Sequence, residues 1–129
     1  MVNSAEETQV QAIRVGETAI IYAGDYLNKL SGERIERECK RRLDSGCSAL
    51  IINFRDTELV NSIGISILMG IIDAAEQTRA RLIFSDVDDH TNNLFEMLGL
   101  IRHVTIARDE GEALSLLTPQ ANVAGSTNA

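Results

Sequence analysis

The chain is poor in aromatic residues, with no Trp, two Tyr and three Phe. Its interior must therefore be built from Ile, Leu, Val and Ala. The overall hydrophobic fraction of 44% supplies enough of these for one core and excludes a disordered chain. Proline is nearly absent, with a single residue at Pro119, so helices and strands can run without interruption. The two cysteines, Cys39 and Cys47, are too few for a disulfide framework. They also lie outside CxxC spacing and have no His at metal-ligand spacing. No apolar run is long enough to span a bilayer. The longest, Ile63 to Ala75, is interrupted by Ser66 and Asp73. The N-terminal stretch MVNSAEETQV lacks the charged and apolar regions of a signal peptide. These absences predict a reduced, soluble, cytoplasmic domain.

Positive charge is also in short supply. Lys and Arg total 12 against 19 Asp and Glu, for a net charge of −7. Such a surface repels a phosphate backbone, which argues against nucleic-acid binding. The one basic run, Lys40-Arg41-Arg42, is hemmed in by Glu36, Glu38 and Asp44 and reads as a solvated helix face. The length of 129 residues fits one domain. We place it at residues 8–118, with flexible tails at 1–7 and 119–129.

Along the chain, Thr8 to Val15 alternates loosely, Gly16-Glu17 reads as a turn, and Thr18 to Ala23 is a β-branched apolar strand. The pair suggests a hairpin. Gly24 and Asp25 break it. Ser31 is the expected N-cap of an amphipathic helix whose apolar stripe is Ile35, Cys39 and Leu43, ended by Gly46. Ala49 to Phe54 reads as a buried strand and Arg55 to Glu58 as a polar connection. A helix from about Ile63 to Gln77 follows. A strand at Arg81 to Phe84, a loop at Asp86 to His90 and a helix from Thr91 to Leu98 capped by Gly99 come next. The described order closes with a strand at His103 to Ala107 and a helix from Glu110 to Leu117, capped by Asp109 and stopped by Pro119. Strand and helix alternate after the hairpin, so the fold class is α/β: a mixed, mostly parallel sheet flanked by about four helices.

The segment LVNSIGISILMGIIDAAEQ carries the most information. At 100° per residue, Ser66, Met69, Asp73, Glu76 and Gln77 fall within about 60° of Ser62. Ile63, Ile65, Ile67, Leu68, Ile71, Ile72 and Ala75 fill the remaining arc. A narrow polar strip therefore begins at Ser62 on a broadly buried helix. Asn61 and Ser62 both suit the N-cap. Gly64 and Gly70 permit close packing. A phosphate on Ser62 would meet the positive end of the helix dipole, so the fold would tolerate it while a docked partner would not.

This pattern resembles the STAS domain, the module of anti-sigma factor antagonists. The resemblance covers about residues 8–118. It rests on the element order, on Gly24 after the second strand, on LVNSIGISILMG, and on LFEMLGL leading to the last strand. It implies a non-enzymatic protein without cofactor that binds an anti-sigma factor with serine kinase activity. It further implies that this kinase phosphorylates Ser62 and that a serine phosphatase resets the cycle. The partner surface it implies comprises Asn61, Ser62, Ile63, Ser66, Met69 and Asp73. Two departures stand out. Asn61 replaces the family's usual Asp before the serine, and Leu27 and Asn28 occupy a region where members often carry an acidic residue.

Rival readings are a non-phosphorylated scaffold of the same fold in a larger signalling assembly, and a small metal-dependent α/β enzyme. The enzyme reading would use Asp86, Asp88, Asp89 and His90, the one acidic cluster with a histidine. His90 and His103 have no nucleophile at recognisable spacing, and no GxSxG, GxGxxG or P-loop occurs. Thr57, ahead of Ser62, is a second candidate phosphosite.

Overall fold

The computed structural model describes residues 10–118. The expectations for residues 1–7 and 119–129, the start of the strand from Thr8 and the stop at Pro119 lie outside the described residues. Strand β1 (Ala12–Val15) turns at Gly16-Glu17 into β2 (Thr18–Tyr22), its antiparallel partner. A two-residue strand β3 (Tyr26–Leu27) leads into helix α1 (Lys29–Asp44), then β4 (Ala49–Asn53). A second short strand, β5 (Leu59–Val60), precedes α2 (Ser62–Gln77) and β6 (Arg81–Ser85). Helix α3 (Asp89–Met97) and a 3-10 turn (Leu100–Arg102) lead to β7 (Thr105–Ala107) and α4 (Glu110–Leu117).

The main sheet has the order β1-β2-β4-β6-β7, parallel except for the β1 hairpin. This is the mixed α/β sheet with four flanking helices that the alternation predicts. Its central strands have two buried faces, so β4 reads ALIIN with all five residues buried. Ile21, Ile52 and Phe84 join Ile35, Leu68 and Phe95 in the larger core, which packs α1, α2 and α3 on one face. Ile20, Ile51 and Ile83 join Ala113 of α4 in a smaller core on the other face. All three phenylalanines cluster, with Phe54 edge to face against both Phe84 and Phe95 and the Phe84–Phe95 pair tilted. The Phe54–Phe84, Phe54–Phe95 and Phe84–Phe95 centroids lie 5.2, 5.7 and 5.5 Å apart. The three phenylalanines thus hold α3 against β6 and the end of β4.

Several boundaries differ from the sequence reading, each for a local reason. Asn28, not Ser31, is the N-cap of α1. Its side chain accepts from the Ser31 N–H, and Ser31 returns a bond to the Asn28 N–H, so Ser31 is the third residue of a capping box. Helix α3 starts at Asp89 because the Asp88 carboxylate accepts from the Thr91 N–H at 2.7 Å. Gly99 leaves α3 in the left-handed conformation (φ 78°) as expected. The 3-10 turn after it uses Leu100, which is buried, so the last strand begins at Thr105 rather than His103. The short strands β3 and β5 were not foreseen. Two residues are too few to show a period of two.

These short strands position the start of α2. They pair in parallel, with Tyr26 beside Leu59 and Leu27 beside Val60. The Leu27 carbonyl then accepts from the Asn61 N–H at 3.0 Å. A Cβ placed on Gly64 would collide with that same carbonyl oxygen and lie 3.1 Å from the Leu27 Cγ. Gly64→Ala should therefore destabilise the domain by about 1–3 kcal/mol, measured by urea denaturation. An unchanged midpoint would show that β3 yields to the added methyl.

Candidate functional site

The corner where β3, β5 and α2 meet is built around Asn61. Its Oδ1 accepts from the Gly64 N–H at 2.8 Å, closing the first turn of α2. Its Nδ2 donates to the Tyr26 hydroxyl at 3.4 Å, which ties the cap to β3. Its carbonyl accepts from the Ile65 N–H at 3.0 Å, the first bond of the helix ladder. Asn61, rather than Ser62, is therefore the cap. Ser62 is the first helical residue and is exposed. The dipole of a 16-residue helix ends beside the Ser62 side chain.

The polar strip appears where the helical geometry put it. Ser62, Ser66, Met69 and Asp73 are all exposed along α2. Ser66 donates back to the Ser62 carbonyl at 3.3 Å, and Asp73 accepts from the Gln77 amide at 3.3 Å. Ile63 departs from the helical-wheel reading. It belonged to the buried arc by angle, yet it is 47% exposed. Its neighbours Gly64 and Ile65 are buried in the same turn, so only the side of the turn that carries Ile63 is left uncovered. Leu30, Leu59 and Tyr26 are exposed on the neighbouring first turn of α1 and on the short strands. Exposed apolar side chains thus stand on four segments, β3, α1, β5 and α2, near the start of the helix. Sequence reasoning missed Tyr26, Leu30 and Leu59 because it had no β3–β5 ladder to bring them together.

The strip is anchored from below. Ile65, Leu68, Ile71 and Ile72 are buried on the opposite face of α2, and each contributes roughly 1.5–3 kcal/mol. Against that sum, a cap worth about 1 kcal/mol is a small term. Chemical change at the exposed corner can therefore leave the helix docked. Gly70 lies where a Cβ would come within 2.9 Å of the Glu36 carboxylate, and Gly32 of α1 receives Ile67, so α1 and α2 pack closely along their length.

Gly24 sits at the end of β2 with φ 84°, a conformation other residues seldom adopt. Its carbonyl accepts from the Thr57 hydroxyl at 2.5 Å, and Thr57 is buried. Thr57 is therefore a structural tie between two turns and is not presented to a modifying enzyme. Leu27 and Asn28 are likewise structural, one buried in the core and the other capping α1.

The acidic loop separates into unlike roles. Asp88 caps α3, and the backbone N–H and hydroxyl of Thr91 hold its carboxyl below the ordinary range. Asp89 and His90 are exposed in the first turn of α3, and the Asp86 Oδ2 is buried. No group of three or more His, Cys, Asp or Glu among the described residues could hold a metal ion. His103 faces Glu76 at 3.3 Å instead. Both cysteines are buried and free, and burial pushes the Cys39 thiol up to about 12. No helix among the described residues is long and apolar enough to cross a membrane. A further polar cluster, unforeseen from sequence, ties α4 to the sheet. The Glu110 Oε1 accepts from the Tyr22 hydroxyl at 2.8 Å and from the Asn53 amide at 2.9 Å. Burial, then Glu110, raises the Tyr22 hydroxyl above its usual range.

A family model described as the STAS domain matches residues 9–113. Among solved structures, the chain is similar to the anti-sigma factor antagonist SpoIIAA in its unphosphorylated form. That match has 22% identity and a TM-score of 0.71, over 84% of this chain and 95% of that one. The phosphorylated form from Bacillus matches at 22% identity with a TM-score of 0.68, over 84% and 98%. RsbS from Moorella thermoacetica matches at 17% identity with a TM-score of 0.76, over 88% and 97%. No curated protein sequence matches the chain significantly.

The cap geometry makes a direct prediction. Asn61→Ala removes the bond to the Gly64 N–H and should cost about 1 kcal/mol in urea denaturation. Asn61→Asp keeps an acceptor there and should cost less. Equal losses for the two would show that the cap bond does not support the corner.

Proposed function

The chain belongs to the STAS domain family, and on that premise we propose that it is an anti-sigma factor antagonist switched by phosphorylation of Ser62. The observation that carries this reading is the placement of Ser62. It is exposed at the first position of α2, one residue after the cap, with uncovered apolar side chains around it. A kinase can reach its hydroxyl without unfolding anything. A phosphate there brings about two negative charges to the positive end of the helix, which tolerates them.

The partner in this reading is an anti-sigma factor with serine kinase activity. It docks on Asn61, Ser62, Ile63, Ser66, Met69 and Asp73. The unmodified antagonist captures the kinase and frees its sigma factor. The phosphorylated form presents a hydrated dianion to the same apolar surface and lets go. A serine phosphatase restores the binding form. Asn61 fits this cycle: it caps the helix as an aspartate would, without placing a carboxylate next to the phosphate.

The test uses the cognate kinase and ATP, with the product read by mass spectrometry. One phosphate should appear on Ser62, and none on the Ser62→Ala variant. Ser62→Asp should fold normally and bind the kinase about tenfold or more weakly, a change of about 1.4 kcal/mol. Binding retained with no phosphate on Ser62 would favour the scaffold of a larger assembly. Unchanged affinity in Ser62→Asp would sink the switch.

A further inference from the structure

The exposed strip of α2 does not end at Asp73. It opens into a groove of ≈ 280 Å³ between the C-terminal half of α2 and the corner where α3 gives way to the 3-10 turn. Met69, Leu98 and Leu100 supply its apolar lining, and Asp73, Glu76 and His103 its polar rim. Leu98 is 45% exposed, and Met97 beside it is 81% exposed. An apolar floor of this kind is ordinarily covered, either by the chain itself or by a partner. Its rim carries two carboxylates, and α2 has no Lys or Arg along its length. The chain as a whole carries −7. An acidic segment would be repelled by Asp73 and Glu76, of which Glu76 faces His103 at 3.3 Å, whereas a cationic one would meet both carboxylates beside an apolar pocket.

We infer that this groove is a second docking site, which takes a partner segment presenting an apolar side chain flanked by Lys or Arg. The rise of the helix puts Asp73 about 16 Å and Glu76 about 21 Å from Ser62. Both ends therefore fit under one partner, whose footprint spans a patch of about 800 Å². The groove lies beyond the reach of a phosphate on Ser62. It shares the partner-facing strip with the function proposed above but does not need Ser62 to be phosphorylated.

The experiment is an NMR titration of the isotope-labelled full chain at physiological salt. The probe is a short helix-forming peptide of Leu, Lys and Ala, and the control has Glu in place of Lys. Shifts should cluster at Met69 to Glu76 and Leu98 to His103 for the Lys peptide and be absent for the Glu peptide. Glu76→Lys and Leu98→Asp should each weaken binding about tenfold. Both positions are exposed, so the fold should survive, as the amide spectrum will show. Glu33→Lys makes the same change in net charge on α1, away from the groove, and should have little effect. Ser62→Asp should leave the titration unchanged, which separates this site from the switch. No binding, shifts spread over the acidic surface, or equal losses in Glu33→Lys and Glu76→Lys would overturn the inference.

Discussion

The start of α2 is fixed by one close approach, that of Gly64 to the carbonyl of Leu27. The Leu27 side chain is buried, and its carbonyl is already committed to the Asn61 N–H. Only a residue without a Cβ lets the helix backbone lie against that carbonyl. This contact holds β3, β5 and the first turn of α2 in one register. It is why Asn61 caps the helix and Ser62 faces outward. Loss of the approach would displace the cap, the Tyr26 contact and the exposed apolar side chains together.

The helix divides its tasks between faces. Ile65, Leu68, Ile71 and Ile72 hold it to the sheet, and the summed burial far exceeds anything the exposed strip contributes. The strip is therefore free to carry chemistry that costs little stability. Ile63, Met69, Leu59 and Leu98 are exposed apolar side chains on or beside this helix. In the proposed function and in the inferred groove, a docked partner covers them. Both the proposed switch at Ser62 and the inferred groove use this arrangement, one at each end of the same helix.

Much of the architecture was legible in the sequence because long elements carry strong periods. The 16 residues of α2 gave a face, a strip and a starting point, and each agrees with the structure to within a residue. The parallel strands announced themselves as short apolar runs. Where the reading missed an element or a surface, the determining contact was distant in sequence. The pairing of Tyr26 with Leu59 spans the whole of α1 and β4, and nothing local marks it. Without it, Ile63 falls on the buried side by angle alone. The capping box of α1 was misplaced by three residues because Asn28 and Ser31 are both good caps, and only geometry chooses between them. The latch of Glu110 on Tyr22 and Asn53 joins residues far apart in the chain. The groove at Leu98 and Glu76 is likewise a product of packing between elements.

The central claim is that Ser62 can be modified without disturbing the fold that displays it. The most direct measurement compares the chain carrying phosphoserine at position 62 with the unmodified chain, by urea denaturation and by amide NMR spectra. The account predicts stabilities within about 1 kcal/mol of each other, because the charge sits at the favourable end of the helix. It also predicts shift changes confined to the first turn of α2 and to the β3–β5 ladder. A collapsed spectrum, or a loss of several kcal/mol, would contradict it.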